Sequence, residues 1–184
     1  MRRRVTSLKK LLDMVLLLFS LIQGEFWCCL YRHLFNSHCS PRGANAEGEN
    51  DSYDFGTGAG FYVDATTERF SKHYNMYTYI TNELPSKLKQ SGLPLNVDNA
   101  SIMGHSMGGH GALTIYLREF GKYKSCSGFS SILNPTQCPW GQKAFNGYLG
   151  SVEAGLDHDS TELIKKSKGK NVKILLVQVC LIIF

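Results

Sequence analysis

The sequence predicts an α/β protein with a mostly parallel sheet and helices on both faces. Three observations carry this expectation. Residues 100–103 are a short apolar run suited to a buried strand, and after them Leu113, Tyr116, Leu117 and Phe120 recur at helical spacing. Residues 126–133 then alternate small and apolar side chains, as a second buried strand would. Strand, helix and strand in that order imply a right-handed crossover between parallel neighbours.

Taken from the start, residues 1–39 differ in character from the rest. A basic opening (Arg2, Arg3, Arg4, Lys9, Lys10) precedes the apolar run 14–22, in the manner of a secretory signal. Asp13 before the run and Gln23, Gly24 and Glu25 after it leave it well short of the ~20 apolar residues of a membrane span, so no span is expected. Trp27, Cys28 and Cys29 stand where a small-residue cleavage site would be sought. Three readings are open: a degenerate signal, an amphipathic helix, or a segment foreign to the fold. The last fits the abrupt change of texture at Ser40.

Those five basic residues equal the formal net charge of +5, so the remainder is balanced. A second basic run, Lys165, Lys166, Lys168, Lys170 and Lys173, has no interleaved aromatics and reads as a solvated face, not a nucleic-acid surface. The six cysteines form no C-x-x-C, which argues against a metal site or a redox motif and makes reduced thiols the expectation.

Residues 51–66 (DSYDFGTGAGFYVDAT) read as a turn-rich surface loop. No strand precedes their glycines, which excludes the dinucleotide fingerprint. Tyr77, Ile80, Leu84 and Leu88 give residues 76–88 one apolar helical face, with Pro85 as the point of bending or ending. Residues 93–98 read as a loop. Gly104-His105-Ser106-Met107-Gly108 then has the form G-x-S-x-G between strand and helix, which is a nucleophile elbow. Glycine on both sides of Ser106 relieves the collisions of a tight turn, and the free N–H groups at the helix start favour developing negative charge. An ordinary glycine-rich turn is the plain alternative, but strand, elbow and helix in sequence favour the chemical reading.

Several long blocks resemble one family. They are DSYDFGTGAGFYVDAT at 51–66, GHSMGGHGAL at 104–113, GKYKS at 121–125 and NPTQCPWGQKAFNGYLG at 134–150. Together they are similar to the S-formylglutathione hydrolases, also called esterase D, over residues 40–176. The resemblance implies an α/β-hydrolase fold, here incomplete at both ends, with residues 40–184 as a partial domain after the unrelated segment 1–39. It also implies a cytoplasmic serine thioesterase and carboxylesterase that splits S-formylglutathione, or small esters, into acid and thiol or alcohol. No metal or organic cofactor belongs to that chemistry, and a homodimer is the expected assembly.

By the resemblance, Ser106 is the catalytic nucleophile, the Met107 N–H is one oxyanion donor, and Trp140 and Lys143 face the substrate, Lys143 toward a glutathione carboxylate. A packed loop aromatic and a surface cation are the plain alternatives for the last two. The family's acid follows a strand matching residues 173–176, and its histidine comes later. Residues 177–184 offer no carboxylate side chain, so impaired catalysis, or a non-catalytic product of the lineage, is expected. Among the histidines, His105 is expected beneath the turn and His110 one turn into the helix. His158, between Asp157 and Asp159, is the least poor surrogate base but is read as a solvated loop residue. His33, His38 and His73 have no partner identifiable from sequence.

Overall fold

The computed structural model describes residues 40–41, 43–93 and 96–178, together with the backbone of Leu18–Leu21. Four parallel strands form one sheet in the order β1 (Leu18–Leu21), β2 (Ser101–His105), β3 (Cys126–Phe129) and β4 (Ile174–Val177). In its register Gly104 sits beside Gly128, and Gly128 beside Leu176. The expected strand at 126–133 ends at Phe129, because Ser130 turns into the left-handed region (φ 44°). Most of the apolar run 14–22 lies outside the described residues; Leu18–Leu21 is the part that pairs with β2.

Residues 76–90 form one helical rod, α1, in three stretches: Met76–Thr78, a wider π turn at Tyr79–Glu83, and Leu84–Gln90. Pro85 neither ends nor breaks it. Proline has no N–H to give the carbonyl four residues back, which is that of Thr81. That buried oxygen instead accepts from Lys122 Nζ at 2.6 Å. The π turn accommodates the ring, and a side chain from elsewhere in the fold replaces the missing donor. Ile80, Leu84 and Leu88 bury the face that the spacing marks.

The second helix, α2 (Met107–Arg118), is buried at every position from Met107 to Leu117. It lies against β2 and β3 on one side. Its other side meets residues 59–63, where a Cβ on Gly111 would stand 2.4 Å from the Tyr62 ring. Residues 51–66 are therefore not a surface loop throughout: Ala59, Phe61, Tyr62 and Val63 are all at most 1% exposed. Phe55, Phe70, Tyr74 and Tyr148 pack edge-on and stacked to hold this segment to α3 (Pro139–Leu149). The Tyr148 hydroxyl accepts from Gly56 N–H (2.7 Å) and donates to the Ala59 carbonyl (2.9 Å). A short fourth helix, α4 (Ser160–Lys166), packs beside α2.

Candidate active site

Ser106 joins β2 to α2 with φ 54° and ψ −119°, a conformation a non-glycine residue adopts only under constraint. Its N–H donates to the Phe129 carbonyl (2.9 Å), and its own carbonyl accepts from His110 N–H (3.1 Å), so sheet and helix fix it from both sides. The turn is tight enough that a Cβ on Gly104 would lie 2.2 Å from the Gly108 carbonyl oxygen. Met107 opens α2, where an N–H has no intrahelical carbonyl to bind.

A cavity of about 170 Å³ opens at this junction, lined by Ser106, Met107, Phe61, Ile132, Trp140, Tyr53 and Asp54. Three of the four residues singled out from sequence thus meet there. Lys143 stands behind the wall: its Nζ is 2.6 Å from Asp54 Oδ1 and 2.8 Å from Ser52 Oγ. Hydrogen bonds from Lys143 and Ser52 hold the Asp54 carboxyl below the usual range. A larger cavity, about 450 Å³, lies between α1 and the amino end of β2, around Thr81, Pro85, Ala100 and Tyr123, away from the nucleophile.

Two wall segments escape a sequence reading. Phe61 and Tyr62 both have positive φ (51° and 53°), which no glycine signals. His110, wholly buried, bonds the Phe61 carbonyl through Nε2 (3.2 Å) and pins that strained pair to the nucleophile's helix. Burial lowers the His110 pKa to about 4. The second segment, leading to Trp140, is anchored by Asp159, which is fully buried. Its Oδ2 accepts from Thr136 N–H (3.0 Å) and Oγ1 (2.7 Å), while Oδ1 caps α4 through Thr161 N–H (2.8 Å).

His105 and His158 take places the sequence did not indicate, and His33 and His38 lie outside the described residues. His105 is exposed, not tucked under the turn. His158 is no solvated residue: its ring meets Tyr77 edge-on, and Nε2 accepts from Arg118 Nη1 at 3.1 Å. Burial, then the Arg118 charge, lowers its pKa to about 3. Arg118 ends the helix that Ser106 begins, about 18 Å along its axis at 1.5 Å per residue, and His158 is bonded to the Arg118 side chain, not to the nucleophile. Among the described residues no histidine side chain hydrogen-bonds the Ser106 hydroxyl, and no three His, Cys, Asp or Glu side chains converge as a metal site.

A strained serine between a parallel strand and a buried helix, over a small cavity, defines a serine-hydrolase elbow on an α/β-hydrolase-type fold. Sequence comparison agrees: residues 38–179 match the Esterase family, and the chain belongs to it. It is 55% identical over 140 residues to an S-formylglutathione hydrolase of Arabidopsis thaliana and 51% identical over 140 residues to one of Rattus norvegicus. Each alignment covers 76% of this chain and 49% of the relative. The chain therefore spans about half the length of these curated relatives. A solved S-formylglutathione hydrolase from Agrobacterium tumefaciens superposes with TM-score 0.68 at 33% identity, covering 76% of this chain and 61% of the other.

Proposed function

We propose that the chain carries the nucleophile of an S-formylglutathione hydrolase. Ser106 Oγ attacks the formyl carbonyl, the Met107 N–H meets the oxyanion, the glutathione thiol leaves, and water releases formate from the serine ester. The observation that carries this reading is Ser106 in its left-handed turn, facing a cavity shared with Met107 and Trp140. Small carboxylic esters fit the same chemistry, and no cofactor is needed for it. Formaldehyde removal in the cytoplasm is the setting that goes with the reaction, and self-association as a homodimer is part of the proposal. Among the described residues no helix is long and apolar enough to cross a membrane.

The rate expected for this chain is low, because among the described residues no histidine side chain bonds the Ser106 hydroxyl: His105 is exposed, and His110 and His158 bond Phe61 and Arg118. In a dissected serine protease, loss of the base costs on the order of 10⁶ in turnover, and roughly 10³ to 10⁴ over water survives. The test is glutathione release from S-formylglutathione, beside mass analysis for a formyl adduct on Ser106. Release above background with an adduct, both abolished in Ser106→Ala, is expected. Equal rates for the two proteins and no adduct sink the reading.

A further inference from the structure

We propose that Asp54, which lines the Ser106 cavity, and Lys143, bonded to it from behind, form a receptor for the paired ammonium and carboxylate of an α-amino-acid end on the substrate. In a glutathione thioester that end is the γ-glutamyl head. The proposal rests on the thioesterase reading of the same cavity and specifies which part of the leaving group is recognised.

The argument is one of unused valences. Asp54 lines the cavity, and its Oδ1 takes both Lys143 Nζ and Ser52 Oγ. Among the described residues no other residue donates to Oδ2. An ammonium has three donors, and that of Lys143 spends two, on Asp54 Oδ1 and Ser52 Oγ. One anionic oxygen and one cationic N–H are left side by side, held by charges 2.6 Å apart. An α-amino-acid head carries the opposite pair, ammonium beside carboxylate, at a similar separation.

Lys143 alone would favour any carboxylate, but Asp54 beside it repels a simple anion, so the couple selects the zwitterion. Both side chains are part-exposed (44% and 21%), which keeps exchange of partners inexpensive. Trp140 lies one turn before Lys143 on α3 and lines the same cavity, so the head-group site and the reacting serine share one wall.

The test uses S-methylglutathione, a thioether that cannot be hydrolysed, titrated calorimetrically into the whole chain. Acetylating its α-amino group, Asp54→Asn and Lys143→Gln are each expected to weaken binding roughly fivefold, the upper range for partly exposed charge contacts. S-methyl-N-acetylcysteine, which lacks the γ-glutamyl head, is expected to bind all three proteins alike. No binding of S-methylglutathione at about 10 mM, or affinities untouched by both substitutions and by acetylation, overturns the proposal. Head-group binding without Ser106-dependent hydrolysis leaves it standing while the thioesterase reading fails; hydrolysis with a KM indifferent to both substitutions does the reverse.

Discussion

The Nε2 atom of His110 lies 3.2 Å from the carbonyl oxygen of Phe61, so the helix that begins at the nucleophile also holds the opposite wall of its cavity. A carbonyl only accepts, which places the ring proton on Nε2 and leaves Nδ1 bare, buried and unpartnered.

That arrangement makes stability fall in acid. The folded His110 pKa, about 4, lies below the unfolded value near 6.5, so the unfolded chain binds more protons between them. The contribution is complete above pH ~6.5 and is lost as pH falls toward ~4, by up to about 3 kcal/mol. His158 adds loss of the same sign, extending toward its folded pKa of about 3. Urea denaturation from pH 7 to pH 4 measures the slope, which is expected to flatten in His110→Gln.

Lys122 and Pro85 are coupled through a single oxygen. Lys122→Met leaves the buried Thr81 carbonyl without a donor and is expected to cost about 1–3 kcal/mol. In Pro85→Ala the restored N–H can serve Thr81, so the same lysine substitution is expected to cost less. A double-mutant cycle in denaturant reads the difference, and additivity within about 0.5 kcal/mol removes the explanation.

Gly104→Ala drives a methyl into the Gly108 carbonyl, backbone against backbone, where no rotamer offers relief. A destabilisation of about 3 kcal/mol or more is expected. Chemical denaturation checks it, together with loss of any adduct on Ser106.

Asp159 serves three donors, two from Thr136 and one at the start of α4. Asp159→Ala is expected to cost about 3 kcal/mol, from unsatisfied buried N–H groups and a lost helix cap. Because Thr136 leads into α3, the Trp140 fluorescence maximum is expected to shift in folded protein; an unchanged spectrum argues against this anchoring.

How much of this was legible in the sequence depended on whether a signal is local. The elbow and α2 follow from short patterns and stand where the patterns put them, whereas β4, at Ile174–Val177, follows from the family resemblance over 173–176. Pro85 misled because its remedy, Lys122, comes from a distant part of the chain. Phe61 and Tyr62 were invisible as left-handed residues, since glycine is the usual mark of positive φ and the contact that holds them is tertiary. Lys143 was singled out as a cation facing substrate, but Asp54, which lines the cavity and binds that cation, could be found only from the fold.

The burial of α2 along its whole length changes what a saturation-mutagenesis experiment would report. An ordinary surface helix yields tolerance with a 3.6-residue rhythm. Here the profile from Met107 to Leu117 is expected to be flat and intolerant, since every position meets neighbours. In a screen scored by growth or abundance, the stretch beside Ser106 would look uniformly essential, and the chemistry would be hidden inside the packing. Only a paired readout, folded yield against serine reactivity for each variant, separates the residue that reacts from those that hold it in place.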